Sequence, residues 1–214
     1  MAPLPVSPVQ NRVTRPDPAA MLPVMTILRR QPVMTRAQFF DWAQAQDMRY
    51  EFDGFAPVAI TGDSLKHSQI CQNLWFALRR RLSGTGCRPL GPDAGVATIG
   101  DAVRYPDALV TCTRITGEEY LTPGVIVVFE VLSPTSGRID RIVKVQEYAV
   151  VPSILRYVIV ESSGIGLTVL ERAAADQKWT VTTLLAAEDA LALPEIGITF
   201  PVAELYEEVD PPEA

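Results

Sequence analysis

Two acidic residues stand beside apolar runs, where a carboxylate is costly to bury unless something compensates its charge. Glu130 follows the apolar residues 125–129, and Asp107 leads into the apolar residues 108–110. A divalent cation would compensate both acids, and Mg²⁺ commonly takes one or two carboxylates as ligands. Phosphodiester hydrolysis uses such a cation to activate water and to neutralise developing charge. The alternative is that each acid pairs with a nearby arginine at a strand end, because structural ion pairs are also common.

Lys144 is the third candidate and lies on a predicted helix after Glu130. Asp140, Lys144 and Tyr148 are spaced four apart, which places them on one face of that helix. Turned towards the acids, Lys144 would orient or activate water, and Tyr148 would support it. The alternative is an exposed pair between Asp140 and Lys144, worth only about 0.3–0.5 kcal/mol. Spacing alone favours this surface pair.

His67 is the only histidine in the chain. A metal site with several histidines is therefore excluded, and a Ser-His-Asp triad would have to include His67. A lone histidine on the apolar face of a helix is more often a core residue with one hydrogen bond. Glu51 precedes a predicted hairpin turn, and alternation along its strand favours a solvent-facing side chain. The motifs of phosphate-binding loops, dinucleotide-binding folds and hydrolase nucleophile elbows are absent from the sequence.

Charge and cysteine content narrow the class of protein. The 214 residues carry a formal net charge of −6, and residues 1–34 account for +3, which leaves −9 for the remainder. A negative protein repels nucleic acid unless local basic groups or metal ions intervene. No apolar run approaches the roughly 20 residues that cross a bilayer. Three cysteines without CxxC spacing predict reduced thiols in a cytoplasmic protein that is not attached to a membrane.

These residues must be positioned by a domain that we predict over residues 35–210, after a proline-rich, flexible tail at residues 1–34. Thr35 begins a capping box, and Asp53-Gly54 between alternating runs predicts a hairpin. A strand at residues 125–132 is apolar on both faces, which indicates a central position. The order of elements predicts an α/β (α+β) fold with a mixed central β-sheet flanked by helices. The other predicted elements are helices over residues 35–46, 64–82 and 138–150, strands near residues 88–90, 95–99, 103–105, 108–112, 155–161, 166–171, 178–184 and 197–200, and a helical turn at 202–205.

Six short motifs occur in a specific order along residues 34–205. They are Thr35-Arg36-Ala37-Gln38-Phe39, Tyr50-Glu51-Phe52-Asp53-Gly54, Lys66-His67-Ser68-Gln69-Ile70, Tyr105-Pro106-Asp107, Glu130-Val131-Leu132-Ser133-Pro134-Thr135-Ser136, and Asp140 with Lys144 and Tyr148. Each motif is weak by itself, but the ordered series resembles the Uma2 family of endonucleases. The resemblance implies the restriction-endonuclease-like PD-(D/E)XK fold.

The resemblance also implies a set of site residues. Asp107 and Glu130 would be the metal-ligand acids, with the Val131 carbonyl as a third ligand. The usual motif has a lysine at the position of Leu132, and Lys144 on the following helix would take its role.

Two further residues, His67 and Glu51, match family positions near the site. The hairpin departs from the family pattern, because Phe55 stands where a glutamate is usual. That departure leaves Asp107, Glu130 and Lys144 untouched.

Two functions remain open from the sequence. The first is an endonuclease that hydrolyses DNA with Mg²⁺ or Mn²⁺, with a homodimer as one form suited to cutting both strands. The second is a nuclease-fold protein without turnover that acts as a binding or scaffold module. The acidic net charge favours the second.

Overall fold

The computed structural model describes residues 34–132 and 140–209 of the chain. The elements run in an order that agrees closely with the predicted one. They are α1 (Arg36–Ala43), β1 (Tyr50–Phe52), β2 (Pro57–Ala59), α2 (Leu65–Leu82), β3 (Arg88–Leu90), β4 (Val96–Ala97), β5 (Val103–Arg104), β6 (Ala108–Thr111), β7 (Val125–Val131), α3, which joins a π-helical turn (Asp140–Lys144) to an α-helical part (Val145–Ala149), β8 (Arg156–Val160), β9 (Leu167–Glu171), β10 (Thr180–Leu184), β11 (Ala190–Leu193), β12 (Ile198–Pro201) and 3-10 turns at Pro194–Ile196 and Val202–Tyr206.

A six-stranded mixed sheet of order β10-β9-β8-β7-β6-β3 forms the centre of the fold. β7 pairs with β8 in parallel orientation and with β6 in antiparallel orientation, so it has a neighbouring strand on each side. The prediction that residues 125–132 form a central strand is therefore confirmed. A parallel pair needs a crossover connection, and α3 lies in the segment between β7 and β8.

Side chains on the two faces of the central sheet enter different cores, because successive residues of a strand point to opposite faces. Val127 and Phe129 of β7 pack with Leu74 of α2 in one buried cluster. Val128 of β7 packs with Tyr148 of α3 in the other. The predicted mixed sheet flanked by helices is confirmed.

A second sheet of order β2-β1-β5-β4 carries the predicted hairpin. The Asp53 Oδ1 atom accepts hydrogen bonds from the Phe55 and Ala56 amides at 2.8 and 2.7 Å, and Gly54 supplies the positive φ of the turn. Helix α1 covers this sheet, and its Phe39 ring stacks on Phe52 at a centroid distance of 5.0 Å. The predicted capping box of α1 is present, with Thr35 and Gln38 bonding each other's backbone.

Helix α2 begins at the cap Ser64, whose Oγ accepts a hydrogen bond from the His67 amide at 3.1 Å. Its last turn carries Arg80 and Arg81, both of which pair with Glu204 of the last 3-10 turn. Arg81 is half-buried in this contact, and Arg80 is more exposed. The pairing attaches the carboxyl end of α2 to the end of the described chain.

The cysteine prediction is wrong for two of the three residues, since Cys87 and Cys112 form a disulfide and Cys71 is free. The two bonded residues flank the antiparallel pair Arg88↔Thr111, which joins β3 to β6. Strand pairing brings them face to face, and sequence spacing cannot show this. The cytoplasmic location stays a prediction that has lost the support of reduced thiols.

Strand β11, which pairs with β12 in a small separate sheet, was missed. The proposed flexible tail and the predicted start of α3 at residue 138 lie outside the described residues, apart from Met34. Among the helices that the structure describes, none is both long and apolar enough to cross a membrane.

Candidate active site

Asp107 stands immediately before β6, at the end of the central sheet where β7 finishes. The antiparallel register pairs Ala108 with Phe129. Asp107, one residue earlier, therefore lies beside Glu130, one residue later. The Asp107 Oδ2 atom accepts a hydrogen bond from the Val131 amide at 2.7 Å. Asp107, Glu130 and Val131, the three predicted ligand residues, are thus neighbours through strand pairing.

Glu130 is buried on the face of β7 that meets α3. Its Oε1 atom accepts hydrogen bonds from the Lys144 Nζ atom at 2.8 Å and from the Tyr148 hydroxyl at 3.0 Å. Lys144 is only 6 % exposed, so it does not lie at the surface, as the alternative of an Asp140–Lys144 surface pair required; the side chain of Asp140 lies outside the described residues. Burial, followed by the charge of Glu130, raises the pKa of Tyr148 well above its usual value, which keeps its hydroxyl a hydrogen-bond donor.

Glu51 on β1 faces the site, so the prediction of a solvent-facing side chain is wrong. Its Oε1 atom accepts a hydrogen bond from the Tyr105 amide at 3.1 Å and lies 3.5 Å from Lys144 Nζ. Its Oε2 atom accepts from Arg104 Nη1 at 3.0 Å. Alternation failed because both faces of this short strand are covered, one by α1 and the other by the buried charges.

Arg104 and Glu147 complete the buried charge cluster, and sequence reasoning missed both. The Arg104 guanidinium donates two hydrogen bonds to the Glu147 carboxylate, at 2.6 and 2.7 Å. Burial acts to lower the pKa of Arg104, but its bonds to Glu147 and the charge of Glu51 outweigh this and raise it. Two features of the sequence could have indicated them: Arg104 follows the apolar Val103, and Glu147 lies three residues after Lys144 on the same helix.

His67 on α2 approaches the acids from the other side. Its Nε2 atom lies 3.4 Å from Asp107 Oδ2, and its side chain is 15 % exposed. Burial lowers the pKa of His67, but the hydrogen bond and charge of Asp107, with smaller contributions from Asp63 and the Val131 backbone, produce a net rise. His67 is thus a half-buried partner of Asp107 and not a fully buried residue of the apolar core.

These residues surround one cleft with a volume of about 640 Å³. Of the predicted site residues, Tyr148 lies behind the wall, hydrogen-bonded to Glu130. Those that line the cleft are Glu51, His67, Asp107, Glu130, Val131 and Lys144. The donor set at its floor is rich in carboxylate oxygen, which is the ligand chemistry of Mg²⁺ and Mn²⁺.

The comparison of the sequence with known families decides the relationship. Residues 36–203 match the Uma2 family, which is described as "Putative restriction endonuclease". The chain belongs to the Uma2 family. A relative of this Uma2 chain, "Uncharacterized protein slr1290" from Synechocystis, is 27 % identical over 178 residues, which are 82 % of this chain and 92 % of the relative.

The Uma2 fold also has a solved counterpart. A protein from Anabaena variabilis described as a "putative nuclease belonging to DUF820" superposes with a TM-score of 0.62 at 15 % identity. The match covers 81 % of this chain and 98 % of that protein. At this identity the likeness shows a shared fold and nothing more.

Proposed function

We propose that this Uma2 chain is a metal-dependent endonuclease that hydrolyses phosphodiester bonds in DNA. The observation that carries the proposal is that Asp107, Glu130 and Lys144 line a single cleft, with Lys144 Nζ bonded to Glu130. Family membership supports nuclease chemistry. A polyanionic substrate and an acidic protein are reconciled by a divalent cation at the point of contact.

The charge of the site argues for a cation. Glu51, Asp107, Glu130 and Lys144 line the cleft, and the Arg104–Glu147 pair lies next to them, so these six side chains sum to −2. Arg49 and Asp63, which also line the cleft, have opposite charges and leave that sum unchanged. Buried negative charge in excess is costly unless it is compensated. One Mg²⁺ or Mn²⁺ ion held by Asp107, Glu130 and the Val131 carbonyl would balance that sum.

The chain's own residues have separate tasks in this proposal. The bound cation supplies Lewis acidity towards phosphate oxygen and lowers the pKa of coordinated water. Lys144 orients Glu130 and adds positive charge close to the scissile phosphate. Tyr148 holds Glu130 from behind, Glu51 keeps the Lys144 amine in place, and His67 orients Asp107.

The test is cleavage of plasmid DNA by the purified full-length chain with Mg²⁺ or Mn²⁺ and with chelator. We expect Asp107→Asn and Glu130→Gln each to reduce the metal-dependent rate by at least about a hundredfold, the order observed when one charge-stabilising group is lost. Asp93→Asn is the matched control, because this acid is 89 % exposed and pairs with Arg49 at the rim. Circular dichroism checks that each variant folds, and cleavage that persists in both site variants would refute the assignment.

A second candidate function is a binding or scaffold module without turnover. The net charge of −6 and the engagement of the Lys144 amine with both Glu130 and Glu51 favour it. Calorimetric titration with Mn²⁺ separates the two candidates. Binding that Asp107→Asn abolishes supports the endonuclease, and no binding at millimolar Mn²⁺ supports the module.

A further inference from the structure

Cys71 is the free cysteine of the chain, and the proposed cleavage chemistry does not use it. It lies one helical turn after His67 on α2, so both side chains leave the helix on the same face. The Cys71 Sγ atom is 3.6 Å from His67 Nδ1 and 3.9 Å from His67 Nε2. Asp107 Oδ2 lies 3.4 Å from His67 Nε2. A thiol, an imidazole and a carboxylate therefore converge.

The spacing of these three groups suits one metal ion. Within the described part of the chain, one ligand atom from each of His67, Cys71 and Asp107 lies within 4.8 Å of the other two. Tetrahedral zinc with bonds of about 2.0–2.3 Å holds its ligand atoms roughly 3.4–3.6 Å apart. The His67 Nε2 atom lies 3.4 Å from Asp107 Oδ2, which matches that geometry, and 3.9 Å from Cys71 Sγ, which is slightly longer. A small adjustment of the side chains would therefore bring the three ligand atoms around one ion.

The donor types select the class of metal. Sulfur and imidazole nitrogen favour zinc and similar transition metals, whereas Mg²⁺ prefers an all-oxygen shell. Three protein ligands leave a fourth tetrahedral position for water or another ligand. Cys71 and Asp107 line both the cleft described above and a neighbouring groove of about 630 Å³ along α2, so an ion can reach them.

We propose that His67, Cys71 and Asp107 form a site for a thiophilic divalent cation, best matched by Zn²⁺, and that its occupation inhibits cleavage by withdrawing Asp107 from the hard-metal site. The inhibition rests on the proposed endonuclease function, whereas the zinc site does not. Coordination replaces the thiol proton of Cys71, which passes to solvent. Because one carboxylate serves two ions of different chemistry, zinc and magnesium compete.

The binding experiment uses the full-length chain without reductant, so that Cys71 is the available thiol. Zn²⁺ is titrated by calorimetry in buffer without Mg²⁺, because the two ions would share Asp107. We expect the wild type to bind one equivalent and Cys71→Ser to bind at least about tenfold more weakly, since even loss of an outer-shell partner costs this much. Ser68→Ala, which lines the same cleft, is the control and should bind like the wild type.

Two readouts report the ligand itself. Co²⁺ in place of Zn²⁺ should give a thiolate-to-cobalt charge-transfer absorption in the wild type and in Ser68→Ala, and none in Cys71→Ser. Zn²⁺ should raise the unfolding temperature of the wild type, because a ligand that binds only the folded state stabilises it. Equal Zn²⁺ affinity in the wild type and Cys71→Ser, or a wild type that binds no Zn²⁺, would overturn the site.

The regulatory part is tested separately by Mg²⁺-dependent cleavage with added Zn²⁺. The wild type should be inhibited at Zn²⁺ concentrations that leave Cys71→Ser active. Equal inhibition of the two proteins overturns the regulatory part. If neither protein cleaves DNA without Zn²⁺, the endonuclease proposal fails, and the binding experiment still decides whether the zinc site exists.

Discussion

At the scale of single residues, the site is defined by charges that are buried together. Glu130 is 4 % exposed, and its contacts with Lys144 and Tyr148 replace part of the water that it gave up. Removing one member of a buried ion pair leaves the other uncompensated, whereas removing both is often tolerated. A comparison of the stabilities of the single and double variants therefore measures how much Lys144 stabilises the fold, separately from its proposed part in cleavage.

The corresponding prediction concerns the free energy of unfolding, measured by urea denaturation. Lys144→Met keeps the aliphatic stem and removes the amine, and we expect a loss of about 3–5 kcal/mol. The double variant Lys144→Met/Glu130→Gln should recover part of that loss, because the buried carboxylate charge is gone. Lys178→Met, at an exposed position, should leave the stability unchanged within about 0.5 kcal/mol. Strictly additive losses in the double variant would contradict the coupling.

At the scale of elements, ion pairs hold the helices that carry the site residues. The Arg104–Glu147 contact joins β5 to α3 directly behind Lys144. At the far end of α2, Arg81 donates to both carboxylate oxygens of Glu204, and its guanidinium lies 5.0 Å from the centre of the Phe200 ring. Planar, bidentate geometry is the arrangement in which an arginine–carboxylate pair contributes most.

The second contact leads to a prediction about pH. The hydrogen bond from Arg81 lowers the pKa of Glu204 below its ordinary value of 4.5. The unfolded chain therefore takes up a proton at this group first as pH falls, so its stabilisation is present above pH 4.5 and is lost below it. Glu204→Gln should be less stable than the wild type by about 1 kcal/mol at pH 7, with a difference that shrinks as the pH falls through this range.

Thermal unfolding at several pH values measures this effect, with Glu207→Gln in the same segment as the control for an exposed acid. A difference between wild type and Glu204→Gln that stays constant from pH 7 to pH 3 would show that the Arg81–Glu204 pair is not its source.

At the scale of the whole molecule, the proposed endonuclease would have to bind a polyanion although its own net charge is −6. The cleft adds to the difficulty, because its lining includes Glu51, Asp63, Asp107 and Glu130. Local cations must therefore carry the attraction. The homodimer stays a prediction, which analytical ultracentrifugation of the full-length chain can examine.

We accordingly predict that DNA affinity depends on divalent cations before any bond is cleaved. Fluorescence anisotropy with a labelled duplex should show at least about tenfold tighter binding with Ca²⁺, which takes oxygen ligands as Mg²⁺ does, than with chelator. NaCl of matched ionic strength is the control, because monovalent salt weakens electrostatic binding to DNA. Equal affinity with Ca²⁺ and with chelator would remove the role that we assign to the cation in substrate binding.

Local sequence signals determined most of the elements. The capping box at Thr35 and the Asp53-Gly54 turn each act within a few residues, and the structure confirms both. The apolar run of β7 indicated a central strand, since a strand covered on both faces cannot alternate. The ordered motifs led to the Uma2 family, which the comparison of residues 36–203 shows.

Only the tertiary structure decided which side chains of different elements contact one another. Four features of the structure depend on contacts between residues that are far apart in sequence. They are the inward side chain of Glu51, the bond from Arg104 to Glu147, the Cys87–Cys112 disulfide and the approach of Cys71 to Asp107. Periodicity reports which face of an element is apolar, because burial of that face is a local property of the chain. It cannot report which charged group lies opposite, because that depends on how strands and helices pack.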